Sequence, residues 1–421
     1  MSEAIRQGDP EGVWVPSSWS FDLSADDPGN PWQANWTPDD VHDYLDAIEV
    51  PHVVWDLWSE EAEKYKTLDY FRGHTWGFGV LHSFGAGSHL HGDVVGLVDR
   101  VHELINEPRA HACELFANMP EIVDFNGFYL ELAAKLSWDP VAVTVERHIQ
   151  DWCRRRYGEE HADALAPAWR LLTETSYGPD SGTVKIILDP LYWFRPDLEL
   201  CPGWPEDKER TDKLWAKRPL FVKKLRHATE ILLARKALLE ENPMACRDLV
   251  DIAKQWLADR SSLEIIAIRD AFLDGDQARF ETSARQCLEL LEDQARLLAS
   301  WEPYRLDRKI ERHVPIWGDD AARSVKHMHV WVSRQDGLRS APLRDYYRQD
   351  LDGLVAHYYR ERVAAYIELL REKLNRGVTT ATEEEFEALY HPIEDRFIHS
   401  PTEPLPEGEK PARVVAELLR R

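Results

Sequence analysis

Cysteine is scarce, with five in 421 residues, at Cys113, Cys153, Cys201, Cys246 and Cys287. An odd number at wide spacing makes neither a disulfide framework nor a CxxC-type zinc site, so they read as buried or free thiols. Long apolar runs are missing as well. No stretch approaches the ~20 residues that span a bilayer, and the opening MSEAIRQGDPEG lacks the apolar core of a signal peptide. These absences predict no membrane partner and a cytoplasmic product as written; export is the expectation only if the true start lies upstream. Basic side chains are outnumbered, 51 Lys and Arg against 75 Asp and Glu, for a formal charge of −24. That field repels a polyanion over most of the surface, which excludes nucleic acid and suits a neutral ligand. Neither a GxxxxGK[ST] phosphate loop nor a GxSxG nucleophile turn occurs.

Tryptophan, by contrast, is abundant, with 17 residues. An indole offers a flat apolar face and one N–H, which suits a protein core and the C–H face of a sugar equally. At 421 residues and 43% hydrophobic content the chain exceeds one ordinary core, so two domains are expected. In the first third, short apolar runs at 13–21, 52–58, 76–84 and 112–120 alternate with helical stretches at 38–47 and 94–106. Strand and helix in turn indicate βα units on a parallel sheet, about the last four units of a (β/α)8 barrel, over residues 1–140. Residues 22–35 read as a loop. From 141 to 421 the pattern becomes all-α. Phe221, Leu225, Ala228, Leu232 and Leu239 share one face, as do Leu288, Leu291, Ala295 and Leu298, and then Leu343, Tyr347, Leu351, Leu354 and Tyr358. Loops are expected at 177–183, 201–206, 308–320 and 400–410. The fold class is therefore α/β plus all-α.

Two places could carry chemistry. The fourth strand candidate runs into Met119-Pro120-Glu121, and catalytic groups of parallel barrels project from strand C-termini. The same Glu could instead open the following helix, where its charge favours the helix dipole. The third strand runs into His82, His89 and His91, with Gly85 and Gly87 between. His-x-His can present two ring nitrogens to a metal. No acidic or Cys ligand is spaced with them, and the glycines indicate a loop that lets a ligand approach the backbone. No metal and no cofactor are expected.

An ordered series of short matches identifies a family. Asp9-Pro10-Glu11-Gly12-Val13-Trp14, Trp19, Trp55-Asp56-Leu57, Trp76, Leu81-His82-Ser83-Phe84-Gly85, Pro120-Glu121 with Asn126, Arg155-Arg156-Tyr157-Gly158 and Ala168-Trp169-Arg170-Leu171-Leu172 follow one another at similar spacing. Together with Asp345-Tyr346 and Gly353-Leu354-Val355-Ala356-His357-Tyr358-Tyr359, they resemble the α-N-acetylglucosaminidase family of glycoside hydrolases. The resemblance covers nearly the whole chain. It implies a retaining hydrolase that removes terminal α-linked N-acetylglucosamine, with a TIM barrel followed by a helical C-terminal domain. It also implies that Glu121 is the nucleophile, that Trp19, Leu81 and Phe84 line the pocket, and that Tyr346 and Trp331 are aromatics supplied by the helical domain.

Two departures stand out. The family's Gly after the nucleophile is Ile122 here, and no residue corresponds to the family's acid/base Glu. Three accounts follow: a fragment of a complete enzyme, one half of a split enzyme that pairs with an N-terminal half or with itself, or a non-catalytic carbohydrate-binding or scaffold protein. The expected partner is an oligosaccharide or glycoside ending in N-acetylglucosamine.

Overall fold

Residues 76–82, WGFGVLH, form the middle of a three-stranded parallel sheet because both of their faces are covered. The strands are β1 (Val54–Asp56), β2 (Trp76–His82) and β3 (Cys113–Pro120), in the order β1-β2-β3. Six of the seven β2 residues are buried, the continuous apolar run expected of a parallel strand between neighbours. The register pairs Val54 with Trp76, Phe78 with Phe116 and His82 with Pro120. A Cβ at Gly79 would lie 2.7 Å from the Asp56 carbonyl oxygen, so only glycine lets the chain leaving β1 cross this close to β2.

The computed structural model describes residues 2–21, 36–181, 189–200, 208–331 and 345–421. The expected loops at 22–35 and 201–206, with Cys201, lie outside them, as does part of 177–183. The fold divides into two units, Met1–Phe84 with Gly92–His148, and Gly85–His91 with Ile149–Arg421.

In the first unit, α1 (Pro38–Asp46) starts in a capping box between Thr37 and Asp40. The helix α2 (Val94–Ile105) buries Val94, Leu97, Val98, Val101 and Leu104, three or four residues apart, and α3 (Gly127–Trp138) buries Phe128, Tyr129, Leu132, Ala133 and Leu136. The run 13–21 is not a fourth strand. It touches the sheet only through parallel bridges from Trp14 to His52 and from Ser17 to Trp55. Pro16 between them has no N–H to extend the ladder, and Ser18–Ser20 then tightens into a 3₁₀ turn. Among the described residues the sheet has three strands.

The second unit is helical. It is built from α4 (Val145–Tyr157), which begins just before the division, α5 (Glu159–Thr173), α6 (Lys208–Leu233), α7 (Pro243–Asp274), α8 (Gln277–Ala299), α9 (Leu306–Trp317), α10 (Ala321–Trp331), α11 (Arg360–Asn375), α12 (Glu383–His399) and α13 (Pro411–Leu418). The central helix α7 is capped by Asn242, whose side chain accepts the Met244 and Ala245 N–H groups, and stops at the left-handed Gly275. Several buried charges in this unit are paired. Arg156 meets Asp248 through two hydrogen bonds of 2.5 and 2.6 Å while Tyr157 donates to the same carboxylate at 2.7 Å. Arg195 lies 3.0 Å from Glu394, and Arg362 lies 2.9 Å from Asp345.

Three helical expectations are corrected. Leu239 is buried but sits on a separate short helix, Lys236–Glu241, because α6 ends at Leu233. Residues 308–320 are α9 and a 3₁₀ turn rather than a loop. Pro315 lies inside α9, where the helix forgoes the hydrogen bond to the carbonyl four residues back. Tyr347 and Leu351 precede the next helix, which starts at Asp352; Leu343 lies outside the described residues. Residues 345–351 are irregular, with Asp345 left-handed (φ 51°), and are tied down by buried polar partners. The Tyr192 hydroxyl and the Trp193 indole N–H both donate to Asp350, and Asp352 accepts the Leu306 N–H at 2.8 Å. No helix among the described residues is long and apolar enough to cross a membrane.

Candidate active site

Glu121 follows the last residue of β3 directly. Its N–H donates to the His82 carbonyl at 2.9 Å, which ties it to the end of β2, and its side chain is exposed. α3 begins only at Gly127, so Glu121 stands clear of that helix's first turn and the helix-start explanation does not apply. Ile122 is not one of the described residues with positive φ, so a β-branched side chain fits there without the backbone freedom of glycine.

Aromatic rings gather at the ends of β1 and β2. The Trp19 and Phe84 ring centres are 6.1 Å apart, and Trp58 lies 5.9 Å from each. Trp19 is 50% exposed, and Leu81, Phe84 and Trp58 are half-buried. Two turns point these groups by adopting left-handed backbone at non-glycine residues, Trp58 (φ 72°) after β1 and Ser83 (φ 61°) after β2. Such conformations cost on the order of 1–3 kcal/mol and persist only where the surroundings enforce them, often at functional sites. The Trp58 indole nitrogen is buried and has no acceptor among the described residues. Trp58 thus joins Trp19, Leu81 and Phe84. The sequence could not single it out among 17 tryptophans, because its placement depends on that one dihedral angle.

Behind the rings lies a buried acidic layer. Asp56 closes β1, fully buried, and accepts the Ser59 hydroxyl at 2.9 Å and the Tyr65 N–H at 3.3 Å. Burial pushes its carboxyl up to about 6 against the Ser59 and Tyr65 hydrogen bonds and the Lys64 charge that favour the charged form. Glu60 is 1% exposed and accepts the Leu81 N–H at 2.8 Å; burial, with Glu61 next in effect, raises its carboxyl well above the ordinary range.

The remaining expected residues belong to the second unit. Tyr346 is half-buried, and a Cβ at Gly85 would fall 1.7 Å from its carbonyl oxygen, so Gly85 is what allows that approach. The Arg348 N–H donates to the Gly85 carbonyl at 2.8 Å. Trp331 is the last residue of α10. The three histidines have partners other than a metal. His82 stacks on Tyr129 at 4.4 Å, His89 reaches Asp189 at 2.9 Å, and His91 stacks on His89 at 4.1 Å. Among the described residues no group of three or more His, Cys, Asp or Glu could hold a metal ion.

Comparison with known proteins gives a consistent picture. Residues 148–421 match the alpha-N-acetylglucosaminidase (NAGLU) C-terminal domain and residues 1–140 the alpha-N-acetylglucosaminidase (NAGLU) tim-barrel domain. Human alpha-N-acetylglucosaminidase is 25% identical over 410 residues, which is 94% of this chain and 51% of the relative. Clostridium perfringens CpGH89, in complex with its substrate GlcNAc-alpha-1,4-galactose, superposes with a TM-score of 0.77 at 20% identity, over 100% of this chain and 45% of that one. The family 89 glycoside hydrolase of Clostridium perfringens in complex with PUGNAc gives 0.76 at 20% identity, over 99% and 45%. At that identity the structural likeness is one of fold. The chain spans about half the length of the human relative it matches. With family models covering both its sheet-bearing and its helical part, the chain belongs to the α-N-acetylglucosaminidase family of glycoside hydrolases.

Proposed function

We propose that this chain carries the nucleophile side of a retaining α-N-acetylglucosaminidase, with its parallel strands forming part of a (β/α)8 barrel over residues 1–140 and the helical domain following from 141. Glu121 attacks the anomeric carbon of a terminal α-linked N-acetylglucosamine, the glycosidic oxygen leaves with a proton, and water then hydrolyses the glycosyl-enzyme. The observation that carries the reading is the position of Glu121: exposed, at the C-terminal end of β3, and tied by its own N–H to the end of β2. Trp19, Leu81, Phe84 and Trp58 provide the apolar and N–H surface for the sugar, and Tyr346 and Trp331 supply aromatics from the helical domain.

A retaining reaction needs a second carboxylate about 5–5.5 Å from the first, and proton donation by it is worth on the order of 10²–10⁴ in rate. No residue here corresponds to the family's acid/base Glu, so the rate is expected to rise when the remaining half of the relatives' length is supplied. An aryl α-N-acetylglucosaminide has a leaving group that needs little protonation. The purified chain is expected to hydrolyse it slowly, faster with the upstream half added, and Glu121→Ala is expected to abolish turnover in both cases. Turnover that survives the substitution removes Glu121 from the role.

The exposed Trp19 face and the unpartnered Trp58 N–H also suit a second reading, a carbohydrate-binding protein without catalysis. In that case neither mixture turns over substrate, while binding of N-acetylglucosamine is retained in Glu121→Ala and lost in Trp19→Ala.

A further inference from the structure

We propose that Glu60 is a positioning residue for Glu121, its carboxyl gripping the strand end from which the Glu121 backbone is held; this rests on Glu121 being the nucleophile. β1 stops short of its neighbour. Its last residue, Asp56, pairs with Phe78, yet β2 continues to His82. The chain leaving β1 turns away at Trp58, with φ 72°, and the 59–60 segment takes over the pairing. The Ser59 N–H donates to the Gly79 carbonyl at 2.8 Å, and its hydroxyl accepts the Gly79 N–H at 3.2 Å. Two residues farther along β2 the Leu81 N–H goes to a Glu60 carboxyl oxygen at 2.8 Å. Left unpaired in this interior, that N–H would lose its acceptor without gaining water.

Successive residues of a strand offer their backbone groups to opposite sides. Gly79 and Leu81 therefore face the β1 side, while His82 offers its carbonyl to the β3 side, where the Glu121 N–H is bound at 2.9 Å. Glu60 and Glu121 thus hold adjacent residues of one strand from its two edges. A shift of Leu81 toward the vacated side carries the His82 carbonyl with it, and with that carbonyl the anchor of Glu121. The other Glu60 oxygen is buried and has no partner among the described residues. An ionised Glu60 would leave that oxygen as an uncompensated buried charge close to Glu61 and Asp56, and its raised carboxyl range agrees with a proton resident on it. A protonated Glu has Gln as its isostere.

The test compares Glu60→Gln, which keeps the acceptor, with Glu60→Met, which keeps the length and loses the acceptor without leaving a cavity or a charge. Amide hydrogen exchange at Leu81 and Glu121 is followed alongside hydrolysis of an aryl α-N-acetylglucosaminide. Glu60→Gln is expected to match the parent in both. Glu60→Met is expected to speed exchange at both amides by about tenfold, the factor for roughly 1.4 kcal/mol of lost hydrogen bonding, and to lower kcat by up to about 100-fold with KM little changed. Exchange at Glu121 that is unaltered in Glu60→Met overturns the proposal, and so does a Glu60→Gln variant as impaired as Glu60→Met. If the parent chain turns over nothing, the nucleophile reading fails, and the exchange comparison still decides whether Glu60 holds the Glu121 backbone.

Discussion

The two units differ in how some of their most buried acids are met. In the helical unit Asp248 is met by Arg156 and Tyr157, Glu394 by Arg195, and Asp345 by Arg362. In the sheet-bearing unit Asp56 and Glu60 are equally buried with no ion pair to a base among the described residues, Asp56 feeling Lys64 only at longer range; burial raises both carboxyls, as it also raises those of Asp248 and Glu394. Paired buried charges are structural ties whose loss is costly. Buried acids with raised carboxyls and no close base are found where folding energy is given up to shape a site. The contrast sets the paired ties of the helical unit against the acids beside the proposed site.

The largest effect is expected from breaking a tie in the helical unit. Asp248→Ala leaves the Arg156 guanidinium and the Tyr157 hydroxyl without their shared acceptor, a loss of about 3–5 kcal/mol in denaturant unfolding. A loss below about 1 kcal/mol would mean that Arg156 finds solvent instead, and that pairing does not distinguish the units.

The opposite behaviour is expected at Asp56. Its folded carboxyl titrates at about 6, above the ordinary 3.8, so its contribution to stability is complete below about pH 4 and is lost as pH rises through about 6. A carboxyl moved that far from 3.8 changes the free energy of unfolding by roughly 3 kcal/mol once it ionises. Between pH 4 and pH 8 the parent should lose about that much stability relative to Asp56→Asn, which cannot ionise. Parallel pH profiles for the two proteins would place a counter-charge near Asp56 and erase the contrast.

The sequence disclosed the parts of each unit whose side chains follow a simple period. β2 and β3 are apolar runs bounded by turn residues, and α2 repeats its buried residues every three or four positions. It misled where backbone chemistry outweighs hydrophobicity. Val13 to Phe21 is apolar enough for a strand, but Pro16 cannot donate to a ladder. The stretch around Pro315, Gly318 and Asp319 has loop composition, yet α9, with Leu306 and Ile310 buried, continues past Pro315 to Trp317 before the 3₁₀ turn at Gly318. Of the proposed site, Glu121, Trp19 and Phe84 are named in the sequence because they fall in an ordered series of family matches. Trp58 and Glu60 are not. Glu60 sits in Ser59-Glu60-Glu61, which reads as a solvated acidic run, and its burial depends on a turn at Trp58 and on a hydrogen bond to Leu81, 21 residues away.

The smallest expected effect tests whether the two units differ in anything besides buried charge. Each contains the same capping box, Thr37 with Asp40 at the start of α1 and Thr382 with Glu385 at the start of α12. In both, the threonine oxygen accepts the N–H three residues on while the acid returns to the threonine N–H. The local chemistry is matched, so Thr37→Ala and Thr382→Ala should each cost about 1 kcal/mol, read as faster amide exchange in the first turn of the helix concerned. If the two costs agree within a few tenths of a kcal/mol, local helix energetics are shared by the units, and the unpaired acids under the strand ends are what sets the sheet-bearing unit apart. A markedly larger cost at Thr37 would show instead that α1 is marginal as a whole, and that the low stability reserve of that unit extends beyond the Asp56 and Glu60 layer.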